Sequence, residues 1–270
     1  MNDILGYAGK NVVITGCASG MGAAAAKLLC ELGAEVHALD IGEVKAPVAQ
    51  AIRCDMKDRA SIDAAIARLP SGIHALFNCA GVPHPPFPAL DVMLINFVGL
   101  RHLTDALLPR IADGGGIASI ASTAGMAWKS NLERVRAFLA LPGFDAAKAW
   151  LETGAELGAD AYGFSKQCLI VYTMTMAGEL AKRNVRINCI APSPTATAFM
   201  DTLTKEIPAE AIRLFCPSNG RFATPEEMGE PLVLLNSRLA SFLSGVNLPV
   251  DFGYCAEIAM GQRDNLMGIS

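Results

Sequence analysis

The chain has 270 residues, 52% of them hydrophobic and 25 of them glycine, with a formal net charge of -4 and a pI of about 5.6. That length and composition suit one large α/β domain, near the upper size for a single core. Basic residues never run beyond a couple in a row, which excludes an electrostatic footprint for nucleic acid, and no apolar run reaches the ~18 unbroken residues of a membrane span.

Met1-Asn2-Asp3-Ile4-Leu5 lacks a basic region followed by a long apolar core, so no secretory leader is expected and the cytoplasm is the expected compartment. Residues 11–15 (NVVIT) form a β-branched run ending at glycine, which reads as a buried strand. An Ala- and Leu-rich helix over 20–33 follows, closed by Gly33. Strands are predicted over 35–39 and 50–54, then a helix over 58–69 with Ile62, Ala65, Ile66 and Leu69 on one face. A fourth strand covers 74–77, a Pro-rich loop 82–88, and one long helix 89–111. Strands over 117–121, 185–190 and 245–250 bring the total to seven. This alternation predicts right-handed βαβ units and a doubly wound parallel sheet in a single domain spanning 1–270.

Polar or small residues recur at predicted strand ends: Gly16, Asp40, Asp55, Asn78 and Ser122. In a doubly wound sheet, ligands bind outside that edge. Thr15-Gly16-Cys17-Ala18-Ser19-Gly20-Met21-Gly22 links the first strand to the first helix. Glycines there allow a tight turn, and the helix N-terminus offers free N–H groups to a pyrophosphate. Asp40 ends the second strand, where an acid takes the adenosine ribose hydroxyls; no Arg directly follows it to receive a 2′-phosphate, so NAD is favoured over NADP. Tyr162 and Lys166 stand one helical turn apart, and an ammonium beside a phenol is expected to lower the phenol pKa. The eight cysteines (Cys17, Cys30, Cys54, Cys79, Cys168, Cys189, Cys216 and Cys255) form no C-x-x-C pair and are expected to be reduced thiols. The four histidines are scattered, and no metal site is expected.

The glycine loop 15–22, Asn78-Cys79-Ala80-Gly81, Asn96, Ser122 and Tyr162-x-x-x-Lys166 together resemble the classical short-chain dehydrogenase/reductases, over essentially the whole chain. The long segment before Tyr162, and the wording around 122–128 and 188–192, resemble the bacterial 3α-hydroxysteroid dehydrogenase/carbonyl reductase and coniferyl-alcohol dehydrogenase branch. The resemblance implies a Rossmann-type fold and a catalytic set of Asn96, Ser122, Tyr162 and Lys166. Tyr162 would be the acid/base, with Lys166 lowering its pKa and binding the nicotinamide ribose. Ser122, in preference to Ser119, would hold the substrate oxygen, and Asn96 would help hold a relay water. Gly16, Ser19, Gly20, Met21 and Gly22 would cradle the cofactor phosphates. Asp55 and Met56 would contact adenine, while Asn78, Ala80 and Gly81 would pass behind the ribose. Pro192, Thr195 and Thr197 would close on the carboxamide. Two departures stand out: Pro192-Ser193 where relatives have Pro-Gly, and Asp251-Phe252-Gly253 where they have Asp-Gly-Gly. If the first position needs a positive φ, Ser193 is strained.

An extra stretch over about 129–159 carries helical spacing in Leu132, Val135, Phe138 and Leu139, breaks at Pro142-Gly143 and resumes over 146–157. It has two expected roles: altering subunit contacts, or lining a pocket for a bulky substrate with Met126 and Trp128. The segment 196–221 resembles a mobile substrate lid. The expected function is NAD-dependent interconversion of a bulky cyclic or aromatic alcohol and its carbonyl, by a homodimer or homotetramer. The competing class is a non-catalytic dinucleotide-binding regulator on the same fold.

Overall fold

The computed structural model describes residues 3–153 and 160–269. Seven strands, β1 (Asn11–Thr15), β2 (Glu35–Asp40), β3 (Gln50–Arg53), β4 (Ile73–Asn78), β5 (Ile111–Ile120), β6 (Arg186–Pro192) and β7 (Asn247–Val250), form one parallel sheet in the order β3-β2-β1-β4-β5-β6-β7. The central strands are buried on both faces, as parallel strands covered by crossover helices must be. Alternate residues of one strand serve opposite cores. Val12 and Ile14 pack with Ala25 and Leu29 of α1 (Gly20–Glu31) and Leu232 and Val233 of α10 (Pro225–Asn236). Val13 faces the other core, with Ile62 of α2 (Arg59–Ala67), Leu103 of α4 (Gly99–Leu107) and the apolar residues of α7 (Ala161–Ala181).

The predicted long helix 89–111 is not continuous. It runs as α3 (Ala89–Met93), one π turn (Leu94–Val98), α4 and a 3-10 turn (Leu108–Arg110); its last predicted residue, Ile111, already begins β5. A π turn adds a residue without breaking the apolar face, so spacing alone does not reveal it. Helix α10 was not predicted, because Pro231 interrupts a pattern that the structure carries through, and its N-terminus is a full capping box of Thr224 and Glu227. The other end of α10 is closed from a distance. Arg186 of β6 is buried and donates to the carbonyls of Leu235 and Asn236, which the helix end leaves open, and to those of Ser237 and Ala240 in the turn that follows.

The extra stretch forms the expected helical pair, α5 (Leu132–Leu139) and α6 (Gly143–Glu152); the predicted continuation over 154–157 lies outside the described residues. Phe138 is fully buried, with ring centroids 6.0 Å from Phe97, 5.7 Å from Phe164 and 5.0 Å from Trp150. Phe144 stacks edge-on against His102 of α4. The pair therefore lies as a further layer over α4 and α7. All eight cysteines are free thiols. No described helix is long and apolar enough to cross a membrane.

Candidate active site

The strand order reverses between β1 and β4, and the crevice opens at their C-terminal ends. Thr15 fastens the floor: its hydroxyl accepts from the N–H groups of Cys79 (3.0 Å) and Ala80 (3.2 Å). The loop from β1 to α1 lies so close to this segment that a Cβ on Gly16 would sit 2.4 Å from the Ala80 backbone, and Gly16 has φ +63°. Only glycine fits there. Ser19 starts α1 without capping it, and no acidic residue occupies the first turn. The first N–H groups of a three-turn helix are thus left to face the crevice.

A cleft of about 350 Å³ runs from this loop to the end of β2, lined by Gly16, Ser19, Gly20, Met21, Gly22, Asp40, Asp55, Met56, Ala80 and Gly81. The Asp40 carboxylate accepts from Ala18 N–H and Gly42 N–H, both at 2.8 Å, and so is fixed at the cleft's far end. Asp55 accepts from Lys57 N–H at 3.1 Å, and its own N–H donates to Ser61. Asn78 stands apart from the other sequence-predicted cofactor residues. It is buried under the cleft, donating to Thr104 (3.0 Å) and Ser119 (3.2 Å), and does not line it. Its side chain ties β4 to β5 and α4, a role that its position at a strand end does not reveal.

A second cavity, about 480 Å³, adjoins the first at Met21, Cys79, Gly81, Thr197 and Phe199. Ser122, Tyr162, Lys166, Pro192 and Thr195 line it. Thr197 belongs to both, because it caps α8 (Ala198–Leu203) at the junction. Ser122 ends the strand-to-turn segment before the 3-10 helix Thr123–Lys129, and its hydroxyl is near enough to the Tyr162 phenol to lower its pKa. A glycine sets that spacing. A Cβ on Gly125 would meet the Lys166 backbone at 2.9 Å and Ile170 at 2.8 Å, so only a bare Cα lets the serine segment lie flat on α7. Ser119, the competing serine, is buried and committed to Asn78, which leaves Ser122 as the serine at the cavity.

Asn96 sits in the π turn and is fully buried. Its side chain accepts from Val82 N–H (2.8 Å) and donates to Val82 C=O (3.0 Å) and toward Ser165 (3.5 Å). The side chain therefore clamps the Gly81–Val82 backbone beside Lys166.

The titration of the Tyr–Lys pair differs from the sequence expectation. Burial pushes the Tyr162 phenol up to about 12, the Ser122 hydroxyl draws it down, and Asp160 pushes it up again. Burial also pulls the Lys166 ammonium down to about 8. Desolvation outweighs the neighbouring charge here: Lys166 Nζ donates to Ile120 C=O at 2.8 Å and lies over the Tyr162 ring, 5.6 Å from its centre.

The two departures resolve oppositely. Ser193 does not take a positive φ; its N–H donates to Val250 C=O at 3.2 Å in an ordinary conformation. The strain falls on Phe252, with φ +49° and a side chain 75% exposed. Around the second cavity, the lid supplies Phe199, Met200, Leu203, Ile207, Ile212 and Phe215, and Phe199 lies 5.7 Å from the Tyr162 ring. No described residue of the 129–159 stretch lines this cavity. Trp128 packs into the core and Met126 against Tyr254, Cys255 and Ile258 instead. The lining residues that sequence reasoning did not single out include His84, Asp160, Leu266 and Met267. Asp160 had a detectable signal, since it caps α7 by accepting from Gly163 N–H at 2.8 Å. The tail residues had none, because their segment has no apolar period.

Comparison with known proteins agrees with this geometry. The short chain dehydrogenase family is matched over residues 10–132, and the enoyl-(acyl carrier protein) reductase family over residues 149–255. The gap between the two matches falls inside the α5–α6 pair. A coniferyl-alcohol dehydrogenase from Pseudomonas sp. (strain HR199 / DSM 7063) is 32% identical over 245 residues, covering 90% of this chain and 96% of that protein. A 3-alpha-hydroxysteroid dehydrogenase/carbonyl reductase from Comamonas testosteroni is 30% identical over 246 residues, covering 90% and 95%. The solved 3-alpha-hydroxysteroid dehydrogenase from Pseudomonas sp. B-0831, complexed with NADH, superposes with a TM-score of 0.78 at 27% identity, covering 94% of this chain and all of that one. The chain belongs to the short-chain dehydrogenase/reductase family, and is an oxidoreductase of that fold.

Proposed function

We propose that the protein is an NAD-dependent dehydrogenase that interconverts a bulky cyclic or aromatic secondary alcohol, or an aryl-type alcohol, with its carbonyl. The observation that carries this reading is the meeting of the two cavities. A groove built for an anionic, extended ligand ends where Ser122, Tyr162 and Lys166 face a largely apolar space.

A dinucleotide fits the first cleft on three counts: the loop admits no Cβ at Gly16, the α1 N-terminus is uncapped, and Asp40 is fixed where ribose hydroxyls would lie. Bound there, the nicotinamide would exchange a hydride with the substrate carbon. The chain's own residues handle the oxygen and the proton. In the carbonyl direction Tyr162 donates its proton to the substrate oxygen while Ser122 donates a hydrogen bond to it. In the alcohol direction the Tyr162 phenolate takes the hydroxyl proton, and Ser122 stabilises that phenolate beforehand. Lys166, near its pKa at mildly alkaline pH, supplies a cation and a proton store beside the ring. Asn96 holds Gly81–Val82 so that the wall shared by both cavities stays in place. The names of the relatives support an aromatic or alicyclic substrate, and the apolar lid supports it independently.

We further infer a homodimer formed at the β7 end. β7 is an edge strand, and Phe242 (99% exposed), Leu248 and Phe252 leave apolar surface beside it. Pro249 within β7 blocks ladder pairing, which favours side-chain packing between copies over a continuous sheet.

The test of the activity is NADH absorbance against a panel of aromatic alcohols, hydroxysteroids and cyclic ketones, with Tyr162→Phe as control. Turnover by the unsubstituted chain and its loss by at least about 10³-fold in the variant, with NADH affinity within about threefold, is the expected result. Full activity in Tyr162→Phe sinks the mechanism.

A further inference from the structure

Beyond α8 and α9 (Ala209–Arg213), the outer wall of the second cavity comes from a part of the chain that follows the whole sheet. After β7 the chain makes α11 (Tyr254–Ala259) and then turns back, placing Leu266 and Met267 in the cavity lining next to the end of the lid. We propose that this C-terminal segment sets the size of substrate the site accepts, with Met267 and Leu266 as the size-determining side chains. What counts as substrate here rests on the dehydrogenase reading above.

Three observations carry the inference. Among the described residues, the helical pair α5–α6 contributes none to the cavity, whereas the lid and the tail both do. The tail is also held. Arg263 pairs with Glu257 of α11 at 2.7 Å and donates to Leu214 C=O (3.2 Å) and the Ser218 hydroxyl (3.3 Å), while Ser218 N–H donates back to Glu257 (3.3 Å). Both charged side chains are about four-fifths covered, at 23% and 19% exposure, and the guanidinium lies over the Tyr254 ring. The end of the lid and the start of the tail are thereby one mechanical unit. Finally, Asn265 and Ile269 close the tail with two hydrogen bonds of 2.7 Å, which seats Met267 on Tyr254, Cys255 and Ile258 beside Met126 and Phe215. Met126 lies in the segment that begins at Ser122, so the tail abuts the element carrying the substrate-oxygen donor. A thioether at this point adapts to apolar rings of varied outline, whereas a stiff side chain would select one.

The test is equilibrium dialysis of the chain without cofactor against two ketones, cyclohexanone and a four-ring ketosteroid, so that binding is read without turnover. Met267→Phe narrows the space and is expected to weaken the four-ring ketone about tenfold while leaving cyclohexanone within about twofold. Met267→Ala widens it and is expected to shift the same ratio the other way. An unmoved ratio, equal shifts for both ketones, or no binding of the four-ring ketone by the unsubstituted chain overturns the proposal. Failure of the dehydrogenase reading shows separately, as no NADH-linked absorbance change with any alcohol while the binding ratio still responds to Met267.

Discussion

At Tyr162 the opposing influences are all local: burial raises its pKa, the Ser122 hydroxyl lowers it, and Lys166 is turned toward Ile120. A base whose pKa lies near 12 is mostly protonated through the neutral range, so alcohol oxidation gains rate as pH rises and carbonyl reduction loses it only in strong alkali. Ser122→Ala removes the lowering contact. The pH–rate profile of the remaining oxidation activity should therefore move to higher pH, and a shift to lower pH would contradict the placement of Ser122. Asp40 supports a second expectation at this scale. Its carboxylate is held at the cleft's end by two N–H groups, where it would repel a ribose 2′-phosphate. Asp40→Ala should weaken NAD about tenfold and narrow its margin over NADP, measured as the ratio of kcat/KM values. An unchanged ratio would remove Asp40 from that role.

Among elements, α7 decides the site, and its support is unusual. Phe164, two residues from both Tyr162 and Lys166, packs against Phe138 of the extra helical pair. Phe138→Ala opens a fully buried space and should cost about 3–5 kcal/mol, read by urea unfolding. A loss under about 1 kcal/mol would mean that the pair is loosely laid on α7. Much of this was legible beforehand. Short apolar runs ending at glycine or a polar residue placed all seven strands, and Gly16, Asp40, Asp55 and Ser122 at their ends line the two cavities. What stayed hidden has physical causes. The π turn at Asn96 preserves the apolar stripe of its helix. Asn78 at a strand end looks alike whether it faces a ligand or fastens two strands. The pKa of Tyr162 is set first by its burial, which spacing does not record. Leu266 and Met267 lie in a segment with neither period nor caps, and only the return of the chain past α11 brings them to the site. Among the described residues the cavity lining takes in the lid and the tail but none from 129–153, and 154–159 lie outside the described residues.

For the whole molecule, the exposed apolar residues gather late in the chain, at Leu239, Phe242, Leu243, Leu248 and Phe252. A surface of this kind is costly to leave in water. Light scattering at micromolar concentration should give the mass of two chains, and Phe242→Asp should return it to one; a single-chain mass for the unsubstituted protein would overturn the dimer.

The helical pair over α4 and α7 has a different consequence. An apolar helix face covered by another molecule is covered only while that molecule is abundant, and dilution strips it. Here the cover is tethered to the same chain, a few residues ahead of Tyr162, and its local concentration does not fall when the protein is diluted. The backing of α7 by Phe138 is thus supplied within one chain.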